Sequence, residues 1–329
     1  MANKTLLLGD LHLADKVPGY LDAQVNWLID LCNKYPATIL LGDVFDKRKP
    51  TPTELLAFKR LLDDAWHCNY WYVLRGNHDT ETKSKDSLTS LSLFQSEFVT
   101  IIDKPIEIGN WHFIPHYEDE SIIIEELKNV RRDNLVFGHF GYTGCINSTG
   151  STDFNISPIL FNNKTYLGHI HTFTQKDNIT ILGTPYTTSF GESGKQSYIG
   201  EIHNEGFMWK AAVGGIRHIQ TDMEELSSLY DVISDPKYFT LLRIHLRDIK
   251  DVDVHAFRED IIKNYNVKYL DIKFIPQFES VQRTNYTPLK PISLINEGII
   301  HKYIEGCNTK IPIERLIEGL NDLKKLEHT

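Results

Sequence analysis

Five times along this chain, a run of apolar residues breaks off into glycine, aspartate or histidine. Apolar runs of this length are typical of strands that are buried on both faces, and glycine with aspartate at their ends is typical of loops. Open α/β sheets place their sites beyond the ends of strands, so five such breaks predict one shared site. The breaks lie in residues 6–12, 39–46, 70–79, 135–139 and 166–171.

The segments around these breaks predict an α/β fold. Apolar residues at helical spacing fill the stretches between the first three strands, so the chain opens as a succession of β-α units. Later stretches turn at glycine, asparagine or aspartate, as β-hairpins do. The mixture predicts a two-sheet α/β sandwich with helices outside, ending near residue 212. The predicted strands are residues 5–8, 38–41 and 69–74, the helices 21–33, 52–65 and 120–131, and the hairpins 106–113, 174–182 and 198–209.

The pattern changes after the double glycine at positions 214 and 215. The next stretch predicts a strand, a helix and a strand, a β-α-β group that is too small for a second core and is better suited to a cap. A polar segment with several prolines then predicts an extended linker. We therefore expect a core domain of residues 1–212, a cap of residues 213–275, a linker of residues 276–291 and a C-terminal helix pair within residues 292–329.

Composition narrows the classes of function. The formal net charge of -9 argues against a general binder of polyanions, since such proteins usually carry a basic surplus. The four cysteines are far apart with no CxxC spacing, which argues against a zinc ribbon and fits free thiols in a reducing cytosol. No apolar run approaches membrane-spanning length, so we expect a cytoplasmic protein without a membrane partner.

Several side chains at the breaks can bind metal through oxygen or imidazole nitrogen. Asp10 and His12 are two residues apart, so they face the same side if strand geometry persists, and His169 and His171 repeat that spacing. The donors are too many for one tetrahedral zinc and suit two ions that share a bridging carboxylate. The mixture favours Mn²⁺, with Mg²⁺, Fe²⁺ and Zn²⁺ as alternatives. The set is Asp10, His12, Asp43, Asn77, His139, His169 and His171.

Two such ions, about 3.5–4 Å apart, activate a bound water and clamp the attacking and leaving oxygens of an in-line displacement at phosphorus. His78 directly follows Asn77 and is not needed as a ligand. A histidine in that place can protonate the leaving oxygen as a general acid. The residues therefore predict metal-dependent hydrolysis of phosphoesters. His116, which lies outside the breaks, is expected to be a structural residue.

As an ordered set, the breaks resemble the five motifs of calcineurin-like metallophosphoesterases. The Gly-Thr-Pro of residues 183–185 and the Ser-Phe-Gly-Glu of residues 189–192 are similar to the segment after the last motif in SbcD-type nucleases, and the chain length resembles their phage-encoded forms. The resemblance implies a metal-dependent exonuclease and endonuclease in DNA repair and recombination. The motifs are Asp10-Leu11-His12, Gly42-Asp43-Val44-Phe45-Asp46, Gly76-Asn77-His78-Asp79, Gly138-His139 and Gly168-His169-Ile170-His171.

Position by position, the resemblance also implies roles for single residues. Asp43 would bridge the two ions, and His78 matches the family's catalytic histidine. Either Asp46 or Asp79 would orient His78, and the sequence leaves open which of the two does so. One ion would be held by Asp10, His12, Asp43 and His171, and the other by Asp43, Asn77, His139 and His169.

Two further regions predict protein partners. Residues 52–65 and 88–94 carry more apolar side chains than one buried face needs, and SbcD-like proteins pair through this part of the chain, so we expect a homodimer. Residues 292–326 place apolar side chains on two helical stripes. SbcD-like subunits use such a C-terminal helix pair to bind an SbcC-like coiled-coil ATPase, so this ATPase and DNA are the expected partners.

Two other functions compete with this interpretation. A stand-alone metallophosphatase or cyclic-nucleotide phosphodiesterase would use the same metals but needs neither the cap nor the tail. A metal-free scaffold with this fold would be expected to lose donors, and because all seven are present the scaffold is disfavoured.

Overall fold

A computed structural model of the chain describes residues 4–83, 87–145, 154–203, 206–247 and 254–275. All of them belong to one compact unit, Met1–Pro276. The helices are α1 Tyr20–Cys32, α2 Pro52–Asp64, α3 Glu120–Asn129, α4 Tyr230–Ile233 and α5 Val254–Asn264. The strands are β1 Thr5–Leu8, β2 Ala37–Leu40, β3 Tyr70–Leu74, β4 Val99–Ile102, β5 Ile106–Ile108, β6 Trp111–Ile114, β7 Leu135–His139, β8 Thr165–Gly168, β9 Thr174–Lys176, β10 Ile179–Ile181, β11 Tyr198–His203, β12 Gly206–Ala211, β13 Gly215–Asp222, β14 Tyr238–Arg247 and β15 Val267–Ile275.

Two six-stranded sheets form the body of the protein. The first has the strand order β12-β11-β1-β2-β3-β4, and the second has the order β5-β6-β7-β8-β10-β9. Strands β1 to β4 run parallel, as do β6, β7 and β8, whereas the three predicted hairpins pair antiparallel. This arrangement confirms the predicted two-sheet α/β sandwich.

An apolar layer fills the space between the two sheets. Aromatic rings run through its centre, where Phe137 packs between Phe113 at 5.1 Å and Tyr166 at 5.5 Å between ring centroids. Leu7 and Ile39 contribute to the same layer from the first sheet. Because these side chains are nearly inaccessible to water, truncating one such as Phe137 to alanine would cost about 3–5 kcal/mol. The layer fixes the separation of the two sheets and so of the loops at their edge.

Helices cover the outer faces of both sheets. Helix α2 begins at a capping box, in which the Thr51 hydroxyl accepts from the Glu54 amide and the Glu54 carboxylate accepts from the Thr51 amide. Pro52 occupies the first helical turn, where its missing N–H costs nothing. With α1, this helix buries Phe58 against the first sheet, while α3 covers the second.

A third sheet, in the order β13-β14-β15, lies beyond the double glycine. Strands β14 and β15 were predicted, but β13 and β4 were not; polar residues interrupt the apolar pattern of β13. Gly214 and Gly215 both have positive φ, and a Cβ on Gly214 would come within 2.8 Å of Trp27 Nε1. Only glycine fits this connection, which brings the third sheet against α1.

Four predictions about the rest of the chain have different outcomes. Cys32, Cys68 and Cys145 are free and buried, as expected for packing residues. Among the described helices, none combines the length and the apolar character needed to cross a membrane. The linker of residues 276–291 and the helix pair of residues 292–329 lie outside the described residues, so those two predictions stay predictions.

Candidate metal centre

The loops that follow five strands meet at one edge of the sandwich. The first sheet supplies the motifs that follow β1, β2 and β3, and the second supplies those at the ends of β7 and β8. Together they bring all seven predicted donor side chains into one cluster. Those from the first sheet are Asp10, His12, Asp43 and Asn77, and those from the second are His139, His169 and His171.

One part of the cluster is tight. Candidate ligand atoms of Asp43, His139 and His169 all lie within 4.8 Å of one another. The Asn77 side-chain oxygen lies 3.0 Å from His139 Nε2 and 2.8 Å from His169 Nδ1. A carboxylate, an amide oxygen and two imidazoles converge here, a donor set that suits a divalent ion.

The other part of the cluster lies beside Asp43. His12 Nε2 is 3.0 Å from His171 Nε2 and 3.9 Å from Asp43 Oδ2. Asp10 adjoins the first, tight part, since its carboxylate accepts the His169 main-chain N–H at 2.9 Å and approaches His139 Nδ1 at 3.4 Å. Asp43 is the carboxylate that contacts histidines of both parts, through Oδ2 to His12 and Oδ1 to His139.

The local geometry differs from the expected continuation of the strands. Strand β1 ends at Leu8, and His12 has a φ of 45°; Asp43 and His169 likewise have positive φ values of 48° and 81°. These are left-handed conformations that side chains other than asparagine, aspartate and histidine rarely adopt. The strand geometry on which the predicted alignment of the paired donors depended therefore does not persist, and sharp turns bring the donors together instead. Backbone strain of this kind concentrates at functional sites.

Glycines let the loops approach closely. A Cβ on Gly76 would lie 2.1 Å from Asp43 Oδ1, and one on Gly42 would lie 2.4 Å from His139 Nδ1. Any side chain at either position would displace one of the donors. The glycine in these motifs is thus explained by space for the donor atoms as well as by turn formation.

Hydrogen bonds select which nitrogen two of the histidines present. His139 Nδ1 donates to the Leu41 main-chain carbonyl at 2.7 Å, and His171 Nδ1 donates to Glu192 Oε1 at 2.8 Å. The lone pair of a neutral ring is then on Nε2, which in both residues is the atom that faces the cluster. The residues therefore fit divalent metal ions.

Burial also favours the neutral form of two histidines, which is the form that binds metal. The pKa of His169 is lowered to about 3, first by burial and then by the charge of His139. Burial likewise lowers the pKa of His12. His139 differs: burial lowers its pKa, but the Asp43 and Asp10 carboxylates and the Leu41 carbonyl together raise it to about 9. A metal ion beside Asp43 would compete with that proton.

Comparison with known proteins agrees with this geometry. Residues 4–173, about half of the chain, match the family described as calcineurin-like phosphoesterase. The chain belongs to the calcineurin-like phosphoesterase family. It is also 30% identical, over 213 residues, to exonuclease subunit 1 of Enterobacteria phage T4. That match covers 57% of this chain and 61% of the relative, so the chain spans less than two thirds of the relative's length.

Three more predicted residues surround this phosphoesterase centre. The His78 main-chain N–H donates to Asp43 Oδ1 at 2.8 Å, and its ring Nδ1 donates to the main-chain carbonyl of Asp46 at 2.6 Å. The Asp46 carboxylate instead lies 3.6 Å from His12 Nδ1 and 3.4 Å from Lys16 Nζ. The described partner of the His78 ring is therefore the peptide carbonyl at position 46.

Asp79 joins two of the motif loops. Its Oδ1 accepts from the amides of Val44 and Phe45, at 3.0 and 3.4 Å, and its Oδ2 accepts from the amide of Gly76 at 2.8 Å. These bonds connect the second motif of the phosphoesterase to its third. The carboxylate therefore acts on loop geometry in the described contacts.

Two further residues contact the candidate ligands of the phosphoesterase centre. His116 stacks on His169, with 5.7 Å between ring centroids, and its Nδ1 lies 3.3 Å from the His139 carbonyl oxygen. Its position directly after β6, beside β7, was the available signal, but sequence alone gave it a structural role. Glu192 was noted only within the Ser-Phe-Gly-Glu segment, although it contacts His171.

Proposed function

We propose that this chain is a metal-dependent DNA nuclease that hydrolyses phosphodiester bonds at a dinuclear metal centre. The observation that carries the proposal is the convergence of seven donor side chains from five loops at the seam of the two sheets. Membership of the phosphoesterase family and the name of the phage T4 relative support it.

In this proposal Asp10, His12, Asp43 and His171 hold one ion, and Asp43, Asn77, His139 and His169 hold the other. Mn²⁺ is the favoured ion, with Mg²⁺, Fe²⁺ and Zn²⁺ as alternatives. When bound, the ions supply an activated water and stabilise charge on the reacting phosphate. The contact of Asp43 with histidines of both parts of the cluster supports its role as the bridge.

His78 is proposed as the general acid. Its Nδ1 donates to the Asp46 carbonyl, so the ring would act in its imidazolium form, passing the Nε2 proton to the leaving oxygen and keeping the Nδ1 proton. The ring lies edge-on to His12 at 5.2 Å, so it borders the proposed centre. In this proposal Asp46 orients the His78 ring by accepting from Nδ1 through its main-chain carbonyl. Asp79 contributes indirectly, because its carboxylate joins the second motif loop to the third.

The wider role that we propose is that of the nuclease subunit of an SbcC-SbcD-like complex in DNA end processing, repair and recombination, in the host cytoplasm if the chain is phage-encoded. The phage T4 relative is named as a subunit, which supports a complex.

Residues 1–212 would form the nuclease domain, residues 213–275 the cap that contacts DNA, and residues 276–291 a linker. The helices of residues 292–329 would bind the SbcC-like ATPase. Truncation after Tyr286 should abolish co-purification with that ATPase while leaving metal binding intact.

A second copy of this chain is the proposed occupant of an apolar surface near α2. Leu56, Trp66, Leu88 and Leu93 are each at least 68% exposed, and Trp66 and Leu93 line one groove together with the exposed Phe98. Their neighbours Phe58, Leu61 and Leu91 are buried in the core. A symmetric dimer through this surface predicts twice the monomer mass in light scattering at micromolar concentration, and a monomeric mass with and without DNA would refute it.

The decisive experiment for the nuclease function compares two substrates. The full chain should release nucleotides from linear DNA when Mn²⁺ is present and stop when a chelator is added, with much slower turnover of small phosphomonoesters. Faster turnover of a phosphomonoester or a cyclic nucleotide than of DNA would favour the phosphatase or phosphodiesterase alternative. Substitution of the exposed His67 by glutamine provides a control that should behave as the wild type.

A further inference from the structure

Glu192 is a buried carboxylate to which the proposed reaction assigns no role. It is 6% exposed and ends a short 3₁₀ turn, Phe190–Glu192. Its Oε1 accepts from His171 Nδ1 at 2.8 Å, and its Oε2 accepts from the Thr188 main-chain N–H at 2.6 Å. The Thr188 hydroxyl lies 3.2 and 3.1 Å from the two oxygens. Donors thus approach both sides of the carboxylate.

This geometry needs a carboxylate and not an amide. The Thr188 N–H is a fixed donor, because a peptide nitrogen has no second protonation state. A glutamine at position 192 has one acceptor oxygen and one donor nitrogen, so it can satisfy Thr188 or accept from His171, but not both. With its oxygen on Thr188, the amide would face His171 Nδ1 with a donor and move the imidazole proton to Nε2.

The loop of residues 187–193 that carries Glu192 is tied to the third sheet. Thr187 Oγ1 accepts from the His218 main-chain N–H at 2.8 Å, and Ser193 Oγ accepts from the Gln220 main-chain N–H at 2.9 Å. Both donors belong to β13. The loop is thus held at each end by the same strand, with Glu192 between the two points.

A third attachment reaches across the sheet. The Phe190 ring lies under the Arg243 guanidinium, 4.0 Å from its centroid, and Arg243 Nε donates to Asp271 Oδ2 at 2.7 Å. Arg243 belongs to β14 and Asp271 to β15. A chain of contacts therefore joins all three strands to the turn that ends at Glu192.

We propose that Glu192 is a positioning residue for His171, and that the third sheet, by holding the loop of residues 187–193, sets how firmly one of the two metal ions is bound. The inference rests on the proposed metal centre. Glu192 keeps the His171 proton on Nδ1, so that Nε2, which lies 3.0 Å from His12 Nε2, would have its lone pair available to an ion. The ion held through Asn77, His139 and His169 has no such dependence.

The first test replaces Glu192 with glutamine in the full chain and measures Mn²⁺ binding by calorimetry. We expect one of two sites to weaken by about 10- to 100-fold while the other keeps its affinity, the usual effect of removing the partner of a ligating histidine. Glu192→Asp, which keeps two acceptor oxygens, should recover part of the loss. Unchanged affinities in Glu192→Gln would overturn the inference and leave the proposed nuclease intact. A wild type that binds no Mn²⁺ would refute the metal centre, and this inference with it.

A second measurement needs no substitution. Nitrogen-15 NMR of the histidines in the metal-free wild type should show the His171 proton on Nδ1, and this readout is independent of enzymatic activity. A proton on Nε2 would overturn the inference even if the Glu192 variants failed to fold.

The role of the third sheet is tested by a matched pair of arginines. Arg243→Met removes the guanidinium from Phe190, whereas Arg217→Met removes one that lies over Tyr238 and donates to the Val232 carbonyl. Both positions lie in the third sheet and both changes remove an arginine–ring contact. We expect Arg243→Met to weaken the same Mn²⁺ site by about 2- to 30-fold, the range for coupling through packed contacts, and Arg217→Met to leave it unchanged. Equal Mn²⁺ affinities in the two variants would refute the coupling.

Discussion

The two large sheets contribute to the candidate centre in different ways. The first supplies oxygen donors with a single histidine, whereas the second supplies imidazoles alone. The first-sheet loops are also tied to one another, because Asp79 joins the second motif to the third. The second-sheet donors are held from outside their own sheet: His139 by the Leu41 carbonyl, His169 by Asp10 and His171 by Glu192.

This difference indicates that the first sheet supplies the carboxylates of the candidate site, and that the second supplies histidines whose orientation depends on groups outside their own sheet. The two parallel strands that end in carboxylates set both proposed ion positions, since Asp43 contacts histidines on each side. The second-sheet histidines depend on groups of the first sheet, or of the Glu192 loop, for orientation. Damage to the first sheet should therefore spread across the centre, and damage to the second should stay local.

The largest expected effect follows from Asp43→Asn. Removing one charge from the proposed bridge should weaken both ions and lower hydrolysis by about 10³-fold or more, since metal-ion catalysis supplies several kcal/mol. The fold should persist, which circular dichroism checks. Wild-type metal content and Mn²⁺-dependent activity in this variant would contradict the assignment of the bridge.

His78→Ser tests whether a first-sheet residue can matter without binding metal. Turnover should fall by about 10²–10⁴-fold, the usual contribution of a general acid, while calorimetry still counts two Mn²⁺ ions. If metal and activity were lost in parallel, His78 would have to be reassigned as a ligand.

His139→Gln tests whether damage to the second sheet stays local. Because Asp43 and the donors around His12 remain, one ion should be lost or weakened by at least about 100-fold while the other is retained. Calorimetry with Mn²⁺ measures the two sites directly. Loss of both ions to the same extent as in Asp43→Asn would remove the distinction between the sheets.

Asp79→Asn should have the smallest effect and should act on stability. An amide can accept on only one side, so either Gly76 or both Val44 and Phe45 lose the acceptor of their buried main-chain N–H. The free energy of unfolding in chelator should fall by about 1–3 kcal/mol in urea titrations. The control is Asp63→Asn, which removes only an exposed pair with Lys59 and should cost less than about 1 kcal/mol.

Much of the fold was predictable because its strands are short, apolar and separated by clear turn residues. Helix α2 was found to within one residue at its C-terminus, since Thr51, Pro52 and Glu54 together mark its start. Strand β13 was missed because its charged and polar residues, such as Arg217 and Gln220, hide the apolar alternation. Strand β13 is stabilised by pairing with β14, and this pairing cannot be inferred from the residues of β13 alone.

The candidate site was predictable at the level of its donors but not of their supports. The structure brings together all seven side chains that motif order predicts as donors, and their binding of metal stays a prediction. The turns at His12 and His169 were not foreseen, because a left-handed φ in a non-glycine residue is imposed by tertiary contacts. Glu192 was not assigned to His171 because 21 residues separate them and only the folded chain places them in contact.

The hydrogen bond from His139 to the Leu41 carbonyl has a consequence for genetics. Every amino acid at position 41 brings the same carbonyl oxygen, so no codon change can delete this partner. In a saturation mutagenesis scan, substitutions at position 41 would report only the packing of its fully buried side chain. They would not reveal the hydrogen bond to the main-chain carbonyl. Anyone who transplants the seven donors onto another protein must therefore also copy the path of the main chain at Leu41, which no alignment of side chains records.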